Sequence, residues 1–495
     1  MTNIEIKNLN FSYADRLIFD KANINIDDSW HLGLVGRNGR GKTTLLKLLS
    51  GKLEGSSPIK TAKKFVYFPQ EITDSEQLTI YALQELAGFE DWQLKRELTL
   101  LDTDLDVLWR PFRSLSGGEQ SKCLLAILFL DKDNFPLIDE PTNHLDLASR
   151  LKVANYLKKK SGFILVSHDR DFLNRSVDHV LAIEREKIQL YQGNFSMYET
   201  EKKLRDDFEY IENEKLKRDI LRLQKTAREK ESWSRKLEAS KSRKKRGFDT
   251  ETKRVDKGYI GAKATSMMQK SMNLQKRMKQ EIVDKEKLLK NLEITEQLKM
   301  NFKSDFHKSF IRFENFSLGY ERPLFREFSA ELKAGEILVI KGENGIGKSS
   351  LINYLFGKFD GKIFGKAEVQ SGIQISYVRQ FYENKGFLTD FAEKENLDYE
   401  QFLSNLKKLG LERETFHLPI EQMSQGQQKK VEVAKALSQT AQLYIWDEVL
   451  NYLDVFNQQQ TTELLKSVKA PMLIVEHDQA FMDEVATKIV ELRKI

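Results

Sequence analysis

The sequence predicts an α/β protein in which a long helical hairpin separates two related domains. Three observations support this prediction: a set of short motifs occurs twice in the same order, apolar runs suit the buried strands of a mostly parallel sheet, and a basic segment without proline lies between the two copies. The length of 495 residues agrees with several domains, because a single core rarely serves more than about 250–300 residues.

The repeated motifs set the predicted boundaries. Four pairs of motif residues are separated by 306 to 309 positions, a spacing too regular for chance. These pairs are Lys42 and Lys348, Ser116 and Ser424, Asp139 and Asp447, and His168 and His477. The sequence therefore predicts a first copy, here called a cassette, at residues 1–198, an insert at 199–306 and a second cassette at 307–495.

The apolar patterns of the two cassettes predict their strands. Each cassette begins with an alternating pattern, IEIKNLNF or FIRFENFSL, which is typical of strands with one buried face. Later segments are continuous apolar runs that end in polar residues: FPLID and GFILVSH in the first cassette, LYIWDE and PMLIVEHD in the second. Such runs are typical of buried parallel strands, whose carboxyl ends hold the functional groups.

The insert has the pattern of two long helices. Proline is absent from residues 142–322, and apolar residues recur three or four positions apart at Leu204, Phe208 and Ile211, and again at Leu274, Met278 and Ile282. Between these stretches, RGFDTETKRVDKGYIGAK is rich in turn-forming residues. An antiparallel hairpin is predicted, and arms of about 45 residues would extend roughly 65 Å.

Charge is concentrated in the same segment. The whole chain has 80 Lys and Arg against 74 Asp and Glu, a net charge of +6. Residues 215–290 alone have 25 against 10, a net charge of +15. This imbalance favours a surface that faces a polyanion, with a solvated helical hairpin as the alternative.

Several classes of protein are excluded by what the sequence lacks. No apolar run approaches the ~20 residues of a membrane span, and the N-terminal sequence does not resemble a signal peptide. The one cysteine, Cys123, forms neither an internal disulfide nor a zinc site. A cytoplasmic protein with no membrane partner and no structural metal is expected.

The strongest motif is a pair of Gly-rich loops. GRNGRGKT at Gly36–Thr43 and GENGIGKS at Gly342–Ser349 both match G-x-x-x-x-G-K-[ST] between a predicted strand and a predicted helix. The backbone N–H groups of such a P-loop converge on nucleotide phosphates, the lysine adds positive charge, and Thr43 or Ser349 is placed to bind Mg²⁺.

Acids and histidines follow later strands. Asp139 and Glu140 end one apolar run, and Asp447 and Glu448 end its repeat. Downstream of a P-loop, the first acid of such a pair holds Mg²⁺ and the second polarises the attacking water. A histidine after the next strand, His168 or His477, occupies the same place in both repeats, which favours a γ-phosphate contact over a structural role.

LSGGEQ at Leu115–Gln120 and DEPTNHLD at Asp139–Asp146 closely resemble the signature and Walker B/D-loop motifs of ATP-binding-cassette ATPases. Two cassettes on one chain, without a membrane domain and with a charged helical linker, resemble the ABC-F class. The resemblance covers essentially the whole chain. It implies two P-loop ATP-binding-cassette domains joined by a long antiparallel coiled-coil hairpin, ATP hydrolysis with Mg²⁺, and a monomer whose cassettes pair head to tail.

The resemblance also implies two composite ATP sites, each combining one P-loop with the other cassette's signature. Site one would contain Gly36, Asn38, Gly39, Gly41, Lys42, Thr43, Thr44, Gln70, Asp139, Glu140 and His168 with Ser424 and Gly426. Site two would contain Gly342, Asn344, Gly345, Gly347, Lys348, Ser349, Ser350, Gln380, Asp447, Glu448 and His477 with Ser116, Gly117 and Gly118. Gln70 and Gln380 join the predicted Mg²⁺ ligands. Tyr13 and Tyr320 are predicted to stack on adenine, with strand-end packing as the alternative.

The second cassette departs from the family pattern. MSQGQQ and DEVLNYLD replace the usual motifs, and Gln425 stands where a glycine is usual. Because both glutamates remain, hydrolysis is expected at both sites, with unequal rates.

The family resemblance implies partners for the insert. In ABC-F proteins a similar hairpin enters the ribosome from the tRNA exit site, so the bacterial ribosome (large-subunit rRNA) and the peptidyl-site tRNA are the expected partners. Basic side chains on a rod also suit phosphate backbones. The predicted RNA contacts are Lys241, Arg243, Lys244, Lys245, Arg246, Lys253, Arg254, Lys257, Tyr259 and Ile260. For the last two residues, packing within the hairpin tip is the alternative.

The short spacing between Gln70 and Ser116 leaves no room for an arm subdomain, and few residues follow His477. This form resembles the Lsa-type resistance members, which protect the peptidyl-transferase centre from lincosamides, pleuromutilins and streptogramin A drugs. The alternatives are a housekeeping ABC-F factor that rescues stalled ribosomes, the ATPase subunit of a drug exporter, and a DNA-maintenance ATPase.

Overall fold

The computed structural model describes residues 3–13, 16–55, 59–142, 145–184, 187–243, 273, 276–277, 280–281, 296–380 and 382–495. The chain forms two compact units, one of Met1–Tyr198 with Thr295–Ile495 and the other of Glu199–Ile294. Residues 296–306, which the sequence predicts within the insert, therefore belong to the unit that contains both cassettes. The backbone N–H groups of Asn301 and Lys303 donate to Leu437 and Ala441 of the second cassette, which explains this grouping.

The first cassette contains a six-stranded sheet in the order β4-β5-β6-β3-β7-β8, parallel except for β8. A separate antiparallel pair, β1-β2, accompanies it. The strands are β1 Asn3–Tyr13, β2 Arg16–Asp27, β3 His31–Val35, β4 Lys64–Phe68, β5 Asn134–Asp139, β6 Phe163–Val166, β7 His179–Glu184 and β8 Lys187–Gln192. The helices are α1 Lys42–Leu49, α2 Thr79–Leu86, α3 Asp91–Leu100, α4 Gly117–Leu128, α5 Leu147–Leu157 and α6 Arg170–Ser176.

The second cassette repeats this plan with a five-stranded parallel sheet, β13-β14-β15-β11-β16, and an antiparallel sheet, β10-β9-β12. Its strands are β9 Ser309–Gly319, β10 Phe328–Lys333, β11 Ile337–Lys341, β12 Lys362–Val369, β13 Ile375–Val378, β14 Leu443–Asp447, β15 Met472–Val475 and β16 Lys488–Glu491. Its helices, numbered after the long helix α7 (Phe195–Arg243), are α8 Lys348–Leu355, α9 Leu388–Lys394, α10 Tyr399–Lys408, α11 Gln425–Ser438, α12 Val455–Ser467 and α13 Gln479–Val485.

The apolar runs form the cores as predicted. Every residue of β6 and β14 is buried, and each cassette has one apolar cluster on either side of its central sheet. The predicted α/β class with parallel central sheets is therefore confirmed. Since β3, β5 and β6 run parallel, their carboxyl ends lie at one edge, where the Gly-rich loop, the acids and the histidine follow.

The insert begins with the helix α7, Phe195–Arg243, whose 49 residues span about 73 Å. Leu204, Phe208 and Ile211, predicted in the apolar seam, are each more than half exposed, whereas Ile220 is buried. The seam therefore starts later along α7 than predicted. Lys241 and Arg243 lie in the last turn of α7, and the other predicted RNA contacts (Lys244, Lys245, Arg246, Lys253, Arg254, Lys257, Tyr259 and Ile260) lie outside the described residues, so the hairpin turn remains a prediction.

Candidate functional site

The two Gly-rich loops lead from a buried strand into a helix N-terminus, as the motif requires. Gly41 and Gly347 precede α1 and α8 with φ angles of +93° and +109°, a left-handed conformation that favours glycine. A Cβ atom on Gly41 would lie only 2.5 Å from Cγ2 of Ile18. Both loops therefore expose backbone N–H groups at a helix N-terminus, which suits an anionic phosphate.

The P-loop lysines are held against their own loops. Nζ of Lys42 donates to the carbonyl of Gly36 at 2.7 Å, and Nζ of Lys348 donates to that of Gly342 at 2.8 Å. Both side chains are buried, and this burial lowers the pKa of each lysine, against the opposing effect of nearby carboxylates. An incoming phosphate would add further negative charge beside these buried ammonium groups.

The first acid of each pair lies beside groups suited to Mg²⁺. Oδ2 of Asp139 accepts hydrogen bonds from Oγ1 of Thr43 at 3.2 Å and from the Tyr67 hydroxyl at 2.8 Å. In the second cassette the Tyr377 hydroxyl donates to Oδ2 of Asp447 at 3.5 Å. Mg²⁺ is bound by oxygen ligands, and the Thr43 hydroxyl and the Asp139 carboxylate are two such groups that lie close together.

The second acid of each pair has a strained backbone. Glu140 and Glu448 have φ angles of +51° and +47°, which are unusual outside glycine and occur at functional sites. Nε2 of His168 lies 3.3 Å from Oε1 of Glu140, and Nε2 of His477 lies 3.7 Å from Oε1 of Glu448. The structure therefore brings each predicted glutamate together with the predicted histidine of its own cassette.

Burial determines the charges at these sites. It raises the pKa of Glu140 to about 8, assisted by the charge of Asp139, and raises that of Asp447 to about 7, assisted by Glu448. Burial lowers the pKa of His168 and His477 to about 3. Both histidines are therefore neutral near pH 7, when each ring has one donor nitrogen and one acceptor nitrogen.

The segments around the predicted glutamine ligands Gln70 and Gln380, here called the Q-loops, differ between the cassettes. Nε2 of Gln380 donates to Oε2 of Glu448 at 2.7 Å, and Nδ2 of Asn451 donates to the same oxygen at 2.7 Å. In the first cassette, Oε1 of Gln70 and Oε1 of Glu140 are buried without a hydrogen-bond partner among the described residues. Buried oxygens that lack a donor fit a site that receives a cation and its water, as predicted for Mg²⁺.

Each signature motif forms the N-terminus of a helix. The Ser116 hydroxyl accepts from the backbone N–H of Glu119, and the Glu119 side chain accepts from the N–H of Ser116 at 2.8 Å. Ser424 and Gln427 form the same reciprocal cap on α11. These capping boxes fix the first turn of α4 and α11, whose partial positive charge suits a phosphate.

A cavity of about 920 Å³ is lined by the predicted residues of site two except Gly342 and Asp447. That volume lies within the range of small-molecule pockets. The predicted residues that line it are Ser116, Gly117 and Gly118 from the first cassette and Asn344, Gly345, Gly347, Lys348, Ser349, Ser350, Gln380, Glu448 and His477 from the second. One cassette's P-loop thus faces the other's signature, as the family resemblance implies.

The P-loop of the first cassette contacts the second cassette directly. The backbone N–H of Asn38 donates to Oδ2 of Asp454 at 2.9 Å, and its side-chain amide donates to the carbonyl of Tyr452 at 3.1 Å. A Cβ atom on Gly426 would lie 2.7 Å from Nδ2 of Asn38, so a larger residue at this signature position would require the Asn38 side chain to move. Site one therefore also lies at a junction of the two cassettes.

Tyr13 and Tyr320 are both about half exposed; the ring of Tyr13 packs against Phe11 and that of Tyr320 against Phe359. Their contact with adenine stays a prediction. Gln425, predicted to affect site one, lines the cavity of site two, where its carbonyl accepts from the Tyr382 hydroxyl at 3.4 Å.

Sequence reasoning missed several groups at these sites. The hydroxyls of Tyr67 and Tyr377 donate hydrogen bonds to Asp139 and Asp447. The repeat could have identified both tyrosines, because each lies three positions before a predicted glutamine. Asp454 was also missed as a partner of Asn38. Lys429 and Glu476 are buried charged residues near site two. The corresponding residues of the first cassette are Ser121 and Ser167, and this difference is visible when the two repeats are aligned.

These two paired P-loop sites define a twin-cassette ATPase, and the comparisons identify its family. The family described as "ABC transporter" matches residues 19–143 and 325–451, just over half of the chain. The chain belongs to this family, whose domains bind and hydrolyse ATP. The predicted fold of two P-loop cassettes and the predicted ATPase activity are confirmed.

The more specific resemblance is to ABC-F proteins. The chain is 29% identical over 491 residues to a protein described as "Ribosome protection protein VmlR" of Bacillus subtilis (strain 168), covering 97% of this chain and 85% of that one. It is 27% identical to "ATP-binding protein Uup" of Buchnera aphidicola subsp. Acyrthosiphon pisum (strain APS), covering 99% and 80%. Since these relatives are of the ABC-F type and match nearly the full chain, the predicted resemblance to ABC-F proteins is confirmed.

Solved structures support the same fold. The archaeal ribosome recycling factor aABCE1, in its complex with the ribosomal stalk protein aP1, is 19% identical with a TM-score of 0.62, covering 98% of this chain and 87% of that one. A structure described as "RNase-L Inhibitor" has a TM-score of 0.61, 19% identity, and coverage of 98% and 88%. Among the described residues, no helix is both long and apolar enough for a membrane span.

Proposed function

We propose that this protein is a ribosome-bound ATPase that enters the tRNA exit site and uses its insert to protect the peptidyl-transferase centre from lincosamide, pleuromutilin and streptogramin A antibiotics. The observation that supports this proposal best is the alignment with a ribosome protection protein over 97% of the chain, which spans the basic insert as well as both cassettes. The insert's net charge of +15 over residues 215–290 suits contact with rRNA and the peptidyl-site tRNA.

In this proposal, ATP closes the two cassettes on each other and the closed form binds the ribosome. The P-loop lysines and the signature helix N-termini hold the phosphates, Glu140 and Glu448 orient and polarise the attacking water, and the neutral His168 and His477 hydrogen-bond the γ-phosphate. Thr43, Gln70 and Asp139, with Ser349, Gln380 and Asp447 in the second site, would hold Mg²⁺, which neutralises phosphate charge when bound. Hydrolysis removes the closing interactions and releases the protein.

The first test is sedimentation with ribosomes. The Glu140→Gln/Glu448→Gln variant keeps the phosphate-binding groups and loses the catalytic carboxylates, so it should sediment with 70S ribosomes when ATP is present and not when it is absent. Lys42→Ala/Lys348→Ala is the matched control, because it keeps both glutamates and removes the ammonium groups that bind phosphate. Sedimentation that does not depend on ATP, or no sedimentation in any condition, would contradict the proposal.

The second test separates resistance from a housekeeping role in translation. The wild-type protein should restore peptide synthesis by ribosomes inhibited by a lincosamide, a pleuromutilin or a streptogramin A drug. It should not restore synthesis inhibited by a drug that binds the small subunit. Rescue of drug-free stalled ribosomes without any effect on drug inhibition would favour the housekeeping factor. Association with membranes and not with ribosomes would favour an exporter subunit.

A further inference from the structure

The signature helix of the second cassette contains buried charges that its counterpart lacks. At offsets of 308 residues, Lys429, Glu432 and Lys435 of α11 replace Ser121, Leu124 and Ile127 of α4. All three charged side chains are at least 96% buried. Because a buried charge is costly without a partner, their presence in only one cassette requires a specific arrangement around them.

Glu432 has such an arrangement. Its carboxylate accepts from Nε of Arg379 at 2.8 Å, Nη2 of Arg379 at 2.9 Å, Nδ2 of Asn384 at 2.9 Å and Nζ of Lys435 at 2.8 Å. Four charge-assisted or polar hydrogen bonds satisfy this carboxylate within the helical layer. Lys435 therefore has a complete structural explanation in its ion pair with Glu432.

Lys429 is different, because its side chain lies beside Tyr382, which lines the cavity of site two. Its side chain is 1% exposed, and Nζ donates to the carbonyl oxygen of Arg379 at 3.4 Å. Its charge interacts with those of Glu476, Glu432, Asp447 and Glu448, and Nζ lies 5.8 Å from the ring centroid of Tyr382. It thus places a cation among the carboxylates of site two, from within the same cassette.

The groups around Lys429 belong to the segments that place the reacting side chains. Arg379 precedes Gln380, whose amide holds Oε2 of Glu448 at 2.7 Å. Glu476 precedes His477 and accepts from the N–H groups of Leu450 and His477, each at 2.9 Å. Lys429 therefore lies where the Q-loop, the strand end with Glu448 and the histidine segment meet. In the first cassette Ser121 and Ser167 stand at the positions of Lys429 and Glu476.

We propose that Lys429 is a positioning residue of the second ATP site. Its buried ammonium group holds the Q-loop backbone at Arg379 and balances the charge of Glu476, so that Gln380, Glu448 and His477 keep a common geometry before nucleotide binds. The first site works without this cation. This inference rests on the two-site arrangement proposed above and is independent of the ribosome, since its tests use the isolated protein.

The kinetic test isolates each site. In a Glu140→Gln background, hydrolysis reports site two, and Lys429→Met should lower kcat by about tenfold or more with KM changed by less than about twofold, because orientation and not affinity is lost. Lys429→Arg should recover most of the rate. In a Glu448→Gln background, which reports site one, Lys429→Met should change kcat by less than about twofold. An equal loss at both sites, or a loss in KM alone, would overturn the proposal.

A second set of variants separates positioning from stability. Lys435→Met removes a buried lysine from the same helix without touching site two, and it should leave kcat at site two within about twofold. Lys429→Ser/Glu476→Ser installs the residues of the first cassette and removes both charges together, so it should fold yet keep the low kcat. If Lys435→Met lowers kcat as much as Lys429→Met, or if the double serine variant has the wild-type rate, the proposal fails.

A measurement without nucleotide completes the test. Amide hydrogen exchange of the nucleotide-free protein should be about fivefold faster or more in Lys429→Met at residues 379–380, 382–384, 448–451 and 476–477, since local opening is easier when these segments are not held together. Lys435→Met should not accelerate exchange at residues 448–451 or 476–477. Unchanged exchange at these residues in Lys429→Met would show that they are held without Lys429.

Discussion

The backbone N–H of Asn38, in the P-loop of the first cassette, donates a hydrogen bond to Oδ2 of Asp454, in the second cassette, at 2.9 Å. Asp454 is 1% exposed, and its Oδ1 accepts a hydrogen bond from the N–H of Asn457 at 2.9 Å. Nζ of Lys430 lies 3.6 Å from Oδ2 of Asp454. One carboxylate therefore caps the helix α12, neutralises a buried lysine and holds the opposite P-loop. It links the junction between the cassettes to the nucleotide site.

This triple role predicts a large effect for a small substitution. Asp454→Asn keeps the size of the side chain but leaves Lys430, which is 2% exposed, without its charge partner, so it should lower the free energy of unfolding by roughly 3 kcal/mol. Asp146→Asn is the matched control, because Asp146 also caps a helix by accepting from the N–H of Ser149, and it should cost about 1 kcal/mol or less. Denaturant unfolding of the nucleotide-free protein measures both, and equal losses would contradict this account.

The P-loop glycines predict a second pair of variants. Gly41→Ala places a Cβ atom 2.5 Å from Ile18 in a left-handed backbone, so it should both destabilise the first cassette and abolish ATP binding at site one. Gly51→Ala has a φ of +72° but no atom within 4 Å of the new Cβ, so it should cost only about 1–2 kcal/mol and leave binding intact. A fluorescent ATP analogue measures site one in a Lys348→Ala background. Normal binding by Gly41→Ala would contradict the prediction.

The buried glutamate predicts a pH dependence. The pKa of Glu140 is raised to about 8 in the folded protein from a value of 4.5, so the stability that its proton contributes is fully present below pH 4.5 and is lost as the pH rises to 8. Glu140→Gln cannot titrate, and without nucleotide it should be more stable than the wild type at pH 8 by roughly 2 kcal/mol, with a smaller difference at pH 5.

The control variant should show the opposite dependence of stability on pH. Hydrogen bonds from Ser116 outweigh burial and lower the pKa of Glu119, so Glu119→Gln should lose stability above pH 4.5 relative to the wild type and converge with it in acid. Unfolding curves at pH 3, 4, 5, 6, 7 and 8 give both profiles. If the difference in the free energy of unfolding between Glu140→Gln and the wild type did not change with pH, the conclusion that burial keeps a proton on Glu140 would be wrong.

Much of the site was predictable because its chemistry depends on local sequence. A phosphate loop needs glycine where φ is positive, a lysine at the helix start and a hydroxyl after it, and these requirements identify Gly41, Lys42 and Thr43 without a structure. The parallel arrangement of β5 and β6 also followed from their continuous apolar runs, and it placed Asp139 and His168 at one edge.

The remainder depends on contacts between segments distant in sequence. No local pattern joins Asn38 to Asp454, 416 positions away, because the partner is set by how the cassettes pack. Lys429 lies on an otherwise ordinary helix, where a lysine is expected to be exposed until the packing buries it. The position of the seam on α7 was wrong at its start for the same reason, since three-residue spacing identifies a helix face and not what covers it.

The basic cluster of the insert predicts how ribosome binding responds to salt. Each lysine or arginine that binds a phosphate releases counterions, so replacing the cluster with alanine should weaken binding of the Glu140→Gln/Glu448→Gln variant and reduce the slope of log K against log[salt] by about 0.7–0.9 for each phosphate interaction removed. Sedimentation with ribosomes and ATP at about 50 to 200 mM KCl measures the slope. The replaced residues are Lys241, Arg243, Lys244, Lys245 and Arg246.

A control with equal loss of charge replaces exposed residues of the cassettes, and it should keep the original slope because these side chains do not belong to the insert. The control residues are Lys7, Arg113, Lys385, Arg493 and Lys494. Equal reductions in both variants would mean that overall charge, and not the insert, drives binding.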